Sequence, residues 1–378
     1  MPIKSCRVHV LAAFGAALLS ASAANAAPDA KRVADSLVAA TAATDRVQAT
    51  YEDATASGDV VTISGYKVIR TNAKTIVIPA IVVTGAVMRD AGGFTAESIA
   101  FDSGTATRGN DIVTWNQGLV EDVTVPSAEE IKAEADFRPF GKLVVGELTI
   151  TESNLAKPVT AQEIRVLMES DTNGLPAEFA AQISGVEFPA EVLKGRPQEK
   201  AIVDALGYEE FDVNIALAGA FDAASDSMTL NTFTINTADV GTVSIKARFS
   251  GLSLGQIAAT RLDAEARSDT KLDNLEIRFD NAGVVERALD MHAALIWGSR
   301  DDAVAQVNAA LPIVLNFLGN DAFQAKITTA FRTFLSDPKS IAFSAAPSTP
   351  VSLEQILDTT RSGINGLPDL LSADVTAN

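Results

Sequence analysis

The residues most suggestive of chemistry are Gly251-Leu252-Ser253-Leu254-Gly255, which satisfy the G-x-S-x-G pattern of a serine nucleophile elbow. Such an elbow needs a histidine base, and beyond the first 26 residues the chain holds one histidine, His292. An elbow also needs a parallel α/β sheet around it, whereas the strand pattern here is antiparallel. Only 39 residues separate Ser253 from His292, too few for the intervening strand, acid and helix. The pentapeptide is therefore read as a turn ending a strand. His292 falls on the apolar side of a helical stretch, Val284 to Leu295, where a single histidine packs at the margin of a core.

The other polar clusters point no more strongly to catalysis. Glu129-Glu130 and Glu209-Glu210 are neighbours whose side chains need not converge, and they read as solvated faces. Asp222 to Asp226 and Asp269 to Asp273 carry oxygen ligands but lack the spacing of a calcium loop. A transition metal would have to be held almost wholly by carboxylates, which is unfavourable. No glycine-rich loop follows a strand in the way that cradles a phosphate. The expectation is a non-enzymatic protein with no cofactor, no metal and no catalytic residue.

The beginning of the chain bears on its destination. Lys4 and Arg7, the short apolar run Val10 to Leu19 and the small-x-small ending Ala24-Asn25-Ala26 read as a secretory signal peptide over 1–26. The run stops well short of the roughly 20 apolar residues that cross a bilayer, and no later stretch reaches that length. Cleavage would remove Cys6, the sole cysteine, and with it any disulfide or thiolate. Loss of Lys4 and Arg7 would also take the net charge from −18 to −20. A chain so acidic is a poor partner for nucleic acid or for an anionic membrane surface. The expected location is the periplasm.

The elements that must carry any site follow from periodicity. Asp29 to about Tyr51 reads as a thin amphipathic helix, with Val33, Leu37, Val47 and Tyr51 near a 3.6-residue period. The period then becomes two. Val61, Ile63 and Tyr66, Val68 alternate on either side of Ser64-Gly65, and strands follow through Val120 to Val125. A second strand-forming region runs from Lys142 to Phe249, and its clearest meander is Phe211–Leu217, Met228–Ile235 and Val243–Phe249. Ile63-Ser64-Gly65, Ile183-Ser184-Gly185 and Phe249-Ser250-Gly251 each read as the Ser-Gly end of a strand. Asp171-Thr172-Asn173-Gly174 reads as a turn, and Gly207 as the stop of a helix over Gln198 to Leu206.

After a strand at Leu275 to Phe279 the pattern turns helical. Capping boxes are expected at Ser299 with Asp302 and Ser352 with Gln355, a kink at Pro312, and a last strand near Ala373 to Val375. Strands first and helices late is the α+β pattern. The expected fold is an elongated, curved antiparallel meander with an N-terminal helix and a helical C-terminal part. One β-rich body spans 27–378, with a first meander over 27–135, a second over 136–280 and a mainly helical part over 281–378.

Several landmarks occur in a familiar order: Thr50 to Gly65, Ala205-Leu206-Gly207-Tyr208, Leu275 to Leu289, Phe334-Leu335-Ser336-Asp337-Pro338-Lys339-Ser340, Pro347 to Val351 and Ala377-Asn378. With these the chain resembles uncharacterised exported proteins of alphaproteobacteria, which implies an envelope location. Its strand pattern is more distantly similar to AsmA-like envelope proteins, and that similarity implies lipid handling. Three functions are carried forward: binding of a lipid or other apolar ligand on the sheet, a structural role with an envelope protein partner, and serine hydrolysis through Ser253.

Overall fold

The computed structural model describes residues 28–378, apart from 44–45, 71–73, 134–137, 171–175 and 253–263. It is α+β, with one large antiparallel sheet, a helix at the N-terminal end and helices clustered late in the chain. The signal-peptide reading at 1–26, the turn at Asp171–Gly174 and Ser253–Gly255 lie outside the described residues.

The chain enters through α1 (Ala30–Thr41), whose N-cap Asp29 accepts from the Arg32 amide. The predicted helix was too long. It stops at Thr41, and Val47 belongs to β1 (Val47–Thr50), because the spacing from Leu37 to Val47 suits the next strand equally well. Strands β1 and β2 (Asp53–Ser57) lie end to end along β3 (Val60–Arg70), which pairs with β4 (Lys74–Thr84). β4 is flanked by β6 (Phe94–Phe101) and β7 (Gly104–Arg108), and these by β9 (Gln117–Val125) and β8 (Asp111–Trp115) respectively.

From there the ladder is a plain meander: β10 (Lys142–Thr151), β11 (Val159–Ser170), β12 (Pro176–Pro189), β13 (Glu210–Asp222), β14 (Ser227–Thr237), β15 (Gly241–Ser250) and β16 (Lys271–Asn281). β17 (Ser340–Ala345) follows β16, and β19 (Ala373–Ala377) pairs with β17. Neighbours in space are neighbours in sequence nearly throughout, as antiparallel hairpins permit.

Two of the three Ser-Gly pairs do not end strands. Gly65 and Gly185 sit inside β3 and β12 at φ +64° and +58°, while Gly251 does close β15. A left-handed residue inside a strand shifts the alternation by one. Val61 and Ile63 before Gly65, and Tyr66 and Val68 after it, are thereby all buried on one face. At Gly185 the register against β13 slips, so Ile183 pairs with Ile215 while Val186 pairs with Val213. The Asn214 side-chain carbonyl accepts the Gly185 amide freed by this bulge.

Two apolar cores form, one at each end of the sheet. At the first, Val33 and Ala34 of α1 pack on Val61, Ile63, Val83 and Phe94, all fully buried. At the second, α5 (Val284–Leu295), α6 (Arg300–Leu315) and α7 (Asp321–Ser336) pack through Leu289, Ala293, Ala303 and Leu335. α7 also lies along β19, and its Phe334 meets Phe279 of β16 edge to face at 6.3 Å. The capping boxes at Ser299–Asp302 and Ser352–Gln355 form, and α6 continues through Pro312.

Candidate functional site

The strand registers place one row of side chains across the whole sheet. Val61, Val83, Ile99, Val120, Leu143, Val166, Ala181, Leu217, Phe233, Ile245, Ile277, Phe343 and Val375 are successive cross-strand partners, and so share one face. A parallel row runs Val145, Ile164, Ile183, Ile215, Ile235, Val243, Phe279, Ile341. A third runs Met168, Phe179, Gly219, Leu230, Ala247, Leu275. Not one member is polar. The opposite face carries Arg165, Gln182, Ala216, Thr234, Ser244 and Arg278 in one row and Leu167, Ala180, Ala218 and Thr232 in the next, a mixed surface of polar and mostly small residues.

Cover is uneven along the apolar face. At the first end it lies under α1, and Val61 and Val83 are 0 % exposed. At the far end Phe334 of α7 covers Phe279 in the second row, while Ile277 in the first row is 37 % exposed. Between β10 and β15 no member of the first two rows is buried; all twelve are half-exposed. With strands about 4.8 Å apart and same-face rows about 7 Å apart, the first two rows over six strands span roughly 350–400 Å². That is within the size of the largest apolar patch of a monomer, which is often a functional one.

The residues singled out for chemistry are dispersed. His292 sits on α5, half-buried, its Nε2 paired with Gln306 Oε1 on α6 at 2.9 Å; it belongs to a helix–helix contact. Glu130 is not a solvated side chain. It closes a capping box with Ser127 at the start of α2 (Ala128–Lys132) and pairs through both oxygens with Arg89 at 2.7 and 2.9 Å. The Arg89 guanidinium and the Ser127 amide hold its carboxyl down at about 2. Adjacency to Glu129 concealed this, although Ser-x-x-Glu was a legible capping signal.

Glu210 pairs with Lys157, and Glu209 lines the same 270 Å³ hollow, where Lys200 pairs with Asp204. Its two lysines are thus each paired with an acid, while Glu191 and Glu209 leave the lining net negative. Asp222 accepts from the Ala224 amide and the Ser225 hydroxyl, which lower its pKa and fasten the β13–β14 turn. Asp273 accepts from the Ser250 hydroxyl at 3.1 Å. Among the described residues no three His, Cys, Asp or Glu side chains converge as a metal site. No described helix is long and apolar enough to cross a membrane.

The apolar face is therefore the candidate site: an extended surface on whose described rows no titratable side chain stands. Comparison with known proteins adds one finding, a family model described as an uncharacterized protein, which matches residues 234–378. That match takes in β15, β16 and the C-terminal helices and covers less than half of the chain. No curated protein matches the sequence.

Proposed function

We propose that this chain is a non-enzymatic, exported protein of the bacterial cell envelope that binds a lipid or other apolar ligand across the open part of its sheet. The observation that carries the reading is the uncovered stretch of the apolar rows from β10 to β15. Water against such a face is costly, and each methylene of a ligand moved onto it gains about 0.8 kcal/mol. The register keeps charge off the face, and the two covered ends would bound the ligand along the sheet. The signal-like N-terminus and the resemblance to exported alphaproteobacterial and AsmA-like proteins support the periplasm as its location. An envelope protein seated on the same face is the competing occupant.

Native mass spectrometry of the protein purified from periplasm without detergent tests the reading. Added mass that is lost on organic extraction is the expected result, together with loss of that mass in Ile215→Glu. A bare chain that also fails to take up a fluorescent fatty acid in solution would refute it.

A further inference from the structure

α6 ends in an apolar tip that nothing described covers. Ile313, Val314 and Phe317 are 79, 62 and 67 % exposed, and their i, i+1, i+4 spacing groups them on one side of the final turn and the short 3₁₀ segment after it. From Ala303 to Asn320 no residue is charged, although the chain as a whole carries −18.

We propose that this tip docks on a bilayer of zwitterionic or neutral lipid, a step that rests on the ligand-binding reading and would bring the open face to a lipid source. Two arguments select that occupant. The three side chains offer roughly 300–400 Å² of apolar surface, whereas a stable dimer needs about 800 Å² per partner. An inserted tip needs no such area, because hydrocarbon surrounds it. The tip is also followed by Asp321, with no Lys or Arg from Ala303 to Asp321, so it lacks what attracts an anionic surface. Leu295 and Trp297 are exposed as well, but they lie at the other end of α6, about 24 Å away for sixteen residues of helix. They supply a control.

The test is flotation of the full chain with vesicles of phosphatidylcholine alone. The wild type is expected to float, I313S/V314S/F317S to float at least tenfold less, and W297S to float as the wild type does. Phosphatidylglycerol added to the vesicles should lower flotation. A wild type that stays in the soluble fraction, a triple variant that floats unchanged, or a W297S variant that alone loses flotation would overturn the proposal. So would a dimer in lipid-free buffer that the triple substitution dissociates, since a second copy would then be the occupant. Native mass spectrometry of the triple variant separates the two readings. Ligand retained without flotation supports both, whereas a floating wild type that carries no ligand keeps the docking and removes the ligand site.

Discussion

Replacing the same residue at two places on one face tests whether the middle of the sheet is open in solution. Ile63 and Ile235 both lie on the apolar face, Ile63 fully buried under α1 and Ile235 half-exposed between Ile215 and Val243. Truncation to alanine removes three carbons at each site. At Ile63 the transfer term is about 2.4 kcal/mol, at roughly 0.8 per carbon, and the cavity left among Val61, Tyr66 and Ile81 raises the cost to about 3–4 kcal/mol. At Ile235 the side chain is half-buried and its outer side already meets water, so no closed cavity forms and the cost is about 1–2 kcal/mol. Urea unfolding followed by circular dichroism should separate the two variants by about 2 kcal/mol, on the order of 0.5 M in midpoint. Equal destabilisation would mean that the central face is covered, and the argument for an exposed binding surface would fail.

Further expectations follow from particular contacts. Glu130 ionises well below its usual value in the folded chain, so the folded state keeps it charged while the unfolded state takes up a proton. The resulting stability is complete above about pH 4.5 and is lost as pH falls towards 2; Glu130→Gln should be less stable at pH 7 and flatter across that window in acid-dependent urea melts. Gly185→Ala forces a Cβ to 2.4 Å from Gln162 Cδ at φ +58° and should cost about 1–2 kcal/mol by the same melts. Ser299→Ala removes the hydroxyl half of the cap on α6, leaving the Ser299 amide on the Asp302 carboxylate, and should cost about 1 kcal/mol. A fluorophosphonate probe should label the chain no more strongly than it labels Ser253→Ala; labelling that vanishes in the variant would revive the hydrolase reading.

Much of the sheet is legible because alternation survives in β13 and β15 and, apart from the slip at Asn231-Thr232, in β14. It is less legible where alternation slips. Ile63-Ser64-Gly65-Tyr66 looks like the end of a strand, since a local pattern cannot distinguish a turn from a left-handed glycine inside a longer strand. Only pairing with β4 across both sides of Gly65 decides it. β7 was invisible for a related reason: Gly104 to Arg108 is a strand of small and polar residues that gains its place from pairing with β4 and β8. The extent of α1 failed on spacing alone. The candidate site lay further from reach, because each strand states which of its residues are apolar but not which strands keep a cover.

The two covered ends explain how the open middle holds its place. Strands β10 to β15 have few buried side chains of their own, so their burial cannot supply the stability a domain core would. What they have is a continuous series of antiparallel pairings, slipped at its bulges, joined at one side to strands packed on α1 and at the other to β16, beneath Phe334. A strand in the middle can leave the sheet only by breaking two ladders at once, which keeps the face ordered without a lid. The bulges serve the same end. At Gly185 the slip brings Val186 and Phe188 onto the side of Ile183, and Phe188 packs on Phe211 with ring centres 5.3 Å apart. Without it the alternation would turn both side chains to the polar face and shorten the apolar surface by two rows. At this margin the face is closed over, because Val213 opposite Val186 is buried and Tyr208 stacks on Phe211 at 5.5 Å, so the bulge gives the open rows a packed border.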